Sequence, residues 1–307
     1  MSAHLLLSLA ALIVNCIFVR FCLKKLLFHF NCQILILTLV SMNIVHSAMY
    51  LLMLTVHFKK MTTVYENPCD VMSDGRFCFT VRLVTASCYI GHTTVFFGLL
   101  VERFLATRYM ATYERSSHKA GYIIAFCSLL SAFLLSCFKM RLFNMDRRNM
   151  YCSAITAETY TDVLVTHGLL LALLMITVII FGSIFFKNRR VTNRIARSIS
   201  EKYQATENMR ALRLLAPLLV FHFICYPFYF AICIIVQSIE YLVGVLYFQT
   251  IYSAIYFPSY YCVLSPLILL YIMKKKTTSD TKTVSTSTNQ KPQRDDDVYF
   301  QSYNTMW

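Results

Sequence analysis

CFTVRLVTASCYIGHTTVFFGLLVERFLATRY, residues 78–109, decides the fold. The stretch is apolar for longer than the roughly 20 residues a helix needs to cross a bilayer, and its arginines lie toward the two ends. Cys78 and Arg103 are 25 residues apart, about 37 Å of helix at ~1.5 Å per residue. One therefore stands at each membrane surface. Cys78, Arg82, Tyr89, Phe96 and Arg103 recur at steps of four and seven and share one helix face, with Thr85 and His92 close to the same stripe. Hydrocarbon offers no hydrogen bonds, so a polar stripe of this kind faces protein or water. A bundle of membrane helices around this one is expected.

The rest of the chain supplies it. Of 307 residues, 57% are hydrophobic and 14% charged, with a mean hydropathy of +0.56; soluble domains carry roughly 25% charged residues. With 7 Gly and 6 Pro there are few tight turns, against the short alternating segments of a membrane β-barrel. Seven apolar blocks are read at residues 3–23, 32–56, 77–105, 119–138, 161–186, 211–239 and 245–273. The first has no basic leader and no small-residue cleavage site, so it reads as a membrane helix rather than a removed signal. Residues 1–273 are expected to form one all-α, seven-helix membrane domain. Residues 274–307, polar and without periodicity, are expected to be a disordered tail.

Charge sets the orientation. The net charge is +14, which in a soluble protein would suggest nucleic acid; here the Lys and Arg sit in short segments between apolar blocks. Segments after the odd-numbered helices carry 21, and the N-terminus with segments after the even-numbered helices carries 7. Positive residues stay inside, so the N-terminus is expected outside and the tail in the cytoplasm. Nine of the 12 Cys lie in or beside apolar blocks, leaving Cys69, Cys78 and Cys152 on the outer side, where disulfides persist. No outer pair has metal-site spacing, and neither a metal nor a cofactor is expected. Cys78 with Cys152 is predicted over Cys69 with Cys78, because the longer loop stabilises more under chain-entropy reasoning.

With these segments in view, the sequence resembles a family. Glu102-Arg103-Phe104-Leu105-Ala106-Thr107 followed by Tyr113-Glu114 is similar to the ER..AT…YE pattern of nematode serpentine chemoreceptors of the Sra superfamily, in the alpha and alpha/beta classes. Asn67-Pro68-Cys69-Asp70, then Cys78 with Arg82, fit the same group, as does Tyr203-Gln204 with Glu207-Asn208 and Leu214-Leu215-Ala216-Pro217 before the sixth helix. The resemblance runs from the second helix through the seventh. It implies a rhodopsin-like bundle, a small-molecule odorant or soluble cue bound near the outer half, and a heterotrimeric G protein at the inner face. It also implies the plasma membrane, in the sensory cilium of a chemosensory neuron. Glu102-Arg103 stands where rhodopsin-like receptors keep an acidic-arginine pair, and Ser265-Pro266 with Tyr271 loosely echoes Asn-Pro-x-x-Tyr. Two departures matter: the single Trp is Trp307, and the second helix has no aspartate, only Ser41, Asn43, His46 and Ser47.

The segment KNRRVTNRIARSISEKYQATENMR, residues 187–210, carries Val191, Ile195, Ile199 and Tyr203 at every fourth position among basic residues. It suits either a G-protein contact or a surface on anionic lipid. The expected transducer face is Glu102, Arg103, Lys187, Arg189, Arg190, Arg194 and Arg197. The expected ligand residues are Arg82, Thr85, Tyr89 and His92 on the third helix, Tyr226, Tyr229 and Phe230 on the sixth, and Tyr252 and Tyr256 near the seventh. Tyrosine offers aromatic surface with a polar tip. For His92 and the other aromatics, plain helix packing competes with recognition; for Arg82, a lipid-interface anchor does. Pro217 and Pro227 permit a kink in the sixth helix.

Other functions fit less well. An inverted seven-helix ligand-gated channel needs the N-terminus inside, against the charge count. A retinal protein needs a lysine midway along the seventh helix, and residues 245–273 contain none. No H-E-x-x-H or G-x-S-x-G occurs, which argues against a hydrolase. A bilayer-embedded receptor without nucleic-acid partners is the reading that remains.

Overall fold

The computed structural model describes residues 2–25, 30–109, 113, 119–156, 158–193, 199–238, 251 and 254–287. Seven long helices are found among them: α1 Ser2–Lys25, α2 Phe30–Thr62, α3 Gly75–Arg108, α4 Lys119–Met140, α5 Tyr160–Asn193, α6 Ile199–Ser238 and α7 Pro258–Ser287. The chain is an all-helical seven-helix membrane protein. Six of the described helices, α1 to α6, are long and apolar enough to cross a membrane. The start of the seventh apolar block, residues 245–250, lies outside the described residues, as do 252 and 253.

Several helices outrun the apolar blocks that announced them, because a helix does not end where hydrocarbon ends. α6 begins at Ile199 rather than 211, and α5 runs to Asn193 rather than 186. α7 continues past Met273 to Ser287. Residues 274–291 contain neither Gly nor Pro, the residues that break helices. The chain divides into two units, residues 1–267 and 268–307; in the second, the described part is the C-terminal portion of α7.

Within residues 1–267, α3 is central. Of its most apolar window 78% is buried, against 22% for α5. Outward faces are apolar, with Ile123, Phe126, Phe133, Leu169, Ile176 and Ile179 exposed, whereas Asn15, Asn43, His46, His92 and His222 are buried. This inside-out distribution suits lipid as the surrounding solvent. Close helix contact needs small residues. At Gly121 on α4 an added Cβ would meet the Asn31 Cα of α2 at 2.8 Å, so only glycine fits this crossing, and the Gly121 backbone N–H donates to Asn31 Oδ1 at 3.2 Å.

One end of the bundle carries a covalent cover. Cys78 at the start of α3 is bonded to Cys152 in the α4–α5 segment, with Cα atoms 4.9 Å apart and a sequence separation of 74. Ser73 and Asn149 exchange backbone hydrogen bonds of 2.8 and 2.9 Å beside it. A short 3-10 turn, Pro68–Val71, precedes α3 and is capped by Asn67, while Asp74 caps α3 itself. Cys69 is exposed and free.

A bridged loop of this length contributes about 4 kcal/mol under chain-entropy reasoning. Cys152→Ser should therefore cut surface expression several-fold and lower the thermal midpoint in detergent, and Cys69→Ser should change neither. Equal sensitivity of both variants, read by surface labelling and thermal unfolding, would place the covalent link elsewhere.

Candidate functional site

At the end of α3 opposite the disulfide, Glu102 and Arg103 are both buried. Arg103 grips its neighbour with two prongs: Nε donates to Glu102 Oε2 and Nη2 to Oε1, each at 2.5 Å. Its third contact leaves the helix, Nη1 donating to Asn208 Oδ1 on α6 at 3.0 Å. Tyr113, beyond the end of α3, donates its hydroxyl to Glu102 Oε1. Burial, and then the adjacent carboxylate, raise the Tyr113 phenol above its usual pKa, so it stays a donor. Asn31 of α2 reaches the same hydroxyl at 3.4 Å. One turn on, Asn188 of α5 donates to Thr107 at 2.9 Å. Arg103 is thus a buried charge that ties α3 to α6. Lys187, Arg189 and Arg190 lie exposed on the end of α5, and Arg194 and Arg197 lie outside the described residues.

Beneath the disulfide, Arg82 is buried. Its Nε donates to the Cys152 carbonyl at 2.5 Å, and its guanidinium lies over the rings of Tyr256, Tyr151 and Tyr50 at 5.2, 5.7 and 5.8 Å. It is neither a lipid anchor nor exposed. Tyr256 stacks on Tyr50 at 4.7 Å and shares a hydrogen bond of 2.9 Å with His46 Nε2 of α2. Thr85 is buried with its hydroxyl turned back to the Val81 carbonyl.

Further along the same face, Tyr89 and His92 point into the bundle. The Tyr89 hydroxyl accepts from Lys139 Nζ of α4 at 2.6 Å and meets His167 Nε2 of α5 at 3.2 Å. His167 stacks on Phe230 of α6 at 4.4 Å. His92 Nδ1 pairs with the Tyr226 hydroxyl at 2.6 Å, and its Nε2 is buried without a hydrogen-bond partner among the described residues. One turn below, His222 bridges Thr93 and Tyr261 at 3.1 and 3.2 Å. Tyr229 is buried against Tyr256, edge to face, at 6.5 Å. Tyr252 lies outside the described residues.

Arg82, Thr85, Tyr89, His92, Tyr226, Tyr229, Phe230 and Tyr256 therefore gather on the inner surfaces of α3, α6 and the approach to α7. Their rings fill much of the space between them. A groove of about 700 Å³ lies elsewhere, between α2, α3 and α4, and is lined by Ser41, Met42, Val45, Ser87 and Phe133.

Sequence reasoning passes over Tyr50, His46, His167, Tyr261 and Lys139 as site residues. By the charge count Lys139 belongs to the segment following the fourth helix, yet it lies within α4 and is buried. Its signal is a lone lysine separated from Arg141 by a methionine, one turn beyond the last serine of an apolar helix. Among the described residues no three His, Cys, Asp or Glu side chains gather as metal ligands.

Comparison with known proteins gives one consistent grouping. The family described as serpentine type 7TM GPCR receptor, class ab chemoreceptor, matches residues 1–307. Serpentine receptor class alpha-12 of Caenorhabditis elegans is 24% identical over 241 residues, which is 78% of this chain and 73% of that protein. Serpentine receptor class alpha-39 of the same organism is 26% identical over 51% of this chain and 42% of that protein. Serpentine receptor class alpha/beta-14 is 25% identical over 53% and 43%.

The Arg103 cluster makes a stability prediction that needs no ligand. Removing one member of a buried ion pair leaves an uncompensated charge, costing about 3 kcal/mol or more. Glu102→Gln should lower the thermal midpoint markedly, and adding Arg103→Met should recover most of the loss. Additive destabilisation in the double variant would show that the pair is not coupled.

Proposed function

Because the chain belongs to the class ab family of serpentine seven-transmembrane chemoreceptors, we propose that it binds a small-molecule cue in the disulfide half of its bundle and activates a heterotrimeric G protein at the other end. The observation that carries this reading is the buried Arg103, held to Glu102 on its own helix and to Asn208 on α6. Two helices are latched by one planar, permanently charged group. Release of Asn208 frees α6 to move and turns the guanidinium toward a G-protein segment. The exposed basic end of α5, with Lys187, Arg189 and Arg190, supplies a cationic rim beside it.

The N-terminus is outside and the C-terminus cytoplasmic in this reading. The Lys and Arg distribution supports that orientation, and so does the Cys78–Cys152 bridge, which belongs on the oxidising side. The receptor resides in the plasma membrane, at the sensory cilium of a chemosensory neuron. A cue enters among Arg82, Tyr89, His92, Tyr226, Phe230 and Tyr256; His92 Nε2, which has no hydrogen-bond partner among the described residues, supports a polar contact there. Movement of Tyr226 or Phe230 passes directly to α6, the helix that carries Asn208.

Calcium imaging in cells expressing the chain with a promiscuous Gα tests this reading. Arg103→Ala should abolish signalling at matched surface level. Asn208→Ala should raise ligand-independent signalling by loosening the latch. Tyr89→Ala and His92→Ala should each weaken cue potency tenfold or more. Wild-type signalling from Arg103→Ala would end the transducer assignment.

A further inference from the structure

The cations of this molecule are held in different ways. Arg103 has Glu102. Arg141 has Asp162, gripped through two hydrogen bonds of 2.7 and 2.9 Å. Arg82 has the Cys152 carbonyl and three aromatic faces. Lys139 is 4% exposed, yet among the described residues no carboxylate forms an ion pair with it. Its partners are the Tyr89 hydroxyl at 2.6 Å and the face of the same ring at 4.7 Å. Asp162, the buried carboxylate nearest in sequence, already has Arg141 across it.

A buried ammonium without a counter-ion costs several kcal/mol. A phenol answers only one of its three donors. The surroundings are mostly aromatic: Tyr89 beneath it, His167 at the Tyr89 hydroxyl and Phe230 stacked on His167, with the buried Cys233 thiol of α6 and the Arg82 guanidinium close enough to act on it electrostatically. A positive point charge beside apolar rings is complementary to a small molecule with an anionic head and an apolar body. We propose that Lys139 is the docking point for a cue bearing a carboxylate, such as a short- or medium-chain aliphatic acid or an aromatic acid.

The carboxylate accepts hydrogen bonds from the Lys139 ammonium, and Tyr89 turns its hydroxyl to His167. The apolar part lies toward Phe230 and Tyr226. This rests on the chemoreceptor reading and gives its ligand a chemical class. Because Tyr226 and Phe230 belong to α6, an acid seated on α4 and α3 bears directly on the helix that the Arg103 latch restrains.

The test uses the full chain in lipid nanodiscs and in reporter cells. The probes are the aliphatic carboxylates from butyrate to decanoate, together with benzoate, each beside its amide and primary alcohol. At least one acid should raise the thermal midpoint saturably, with its neutral counterparts at least tenfold weaker. Lys139→Met should abolish that discrimination, while Lys139→Arg retains it. Without ligand, Lys139→Met should be as stable as the wild type or more so, because it removes an uncompensated charge. A lower unliganded midpoint for Lys139→Met would make the lysine a structural donor to Tyr89 and overturn the proposal. So would discrimination that survives in Lys139→Met, or a series in which no acid binds. Glu240 lies outside the described residues; a loss of stability in Glu240→Gln that vanishes in the Lys139→Met background would identify it as the resident counter-ion and equally overturn the proposal. Signalling by neutral probes but not acids would reject the carboxylate class and leave the receptor reading intact. Full signalling by Arg103→Ala would reject the receptor reading itself.

Discussion

Hydrocarbon cannot answer a polar side chain, so the long polar side chains along α3 reach to other parts of the protein, while hydroxyls such as that of Thr85 turn back to the helix's own carbonyls. That demand organises the bundle. Arg82 is met by the Cys152 carbonyl, Tyr89 by Lys139 of α4 and His167 of α5, His92 by Tyr226 of α6, and Arg103 by Asn208 of α6. Thr94 donates to the Ser128 carbonyl of α4 at 3.0 Å. Packing among apolar faces contributes contact area, but lipid tails offer similar contacts, and it is the hydrogen bonds that specify which helix lies beside which.

The same constraint places a second layer of contacts away from α3. Asn15 of α1 donates to the Cys262 carbonyl of α7 at 2.9 Å, and Asn43 of α2 reaches both Asn15 and Ser265 at 3.2 Å. Three helices are joined through two amides and a hydroxyl, with no formal charge. Where the wider rhodopsin-like pattern would place an aspartate on the second helix, this chain uses neutral groups for the connection.

Much of this is legible in the sequence, for a physical reason: periodicity and length report on one helix at a time. The stripe from Cys78 to Arg103 can be read because its members share a helix. Tyr113 and Asn208 enter the sequence reading only as pieces of a resemblance, and their meeting on Glu102 and Arg103 needs three-dimensional placement. Lys139 and His167 escape it altogether. A single polar residue in an apolar block has no periodicity, and the partner, Tyr89, lies on another helix, 50 positions from Lys139 and 78 from His167. The helix ends read short for a related reason: hydropathy marks where lipid begins, whereas α6 and α7 continue as helices beyond it.

The disulfide also bears on how the protein is made. Residue 152 follows α4 in the chain, so the bond to Cys78 cannot close until both α3 and α4 have left the ribosome and crossed the bilayer. Once closed, it staples the start of α3 to the segment that follows α4, against which Arg82 is seated. Because α5, α6 and α7 are translated after Cys152, the half of the bundle that carries the bond can be joined covalently before the rest of the chain is made.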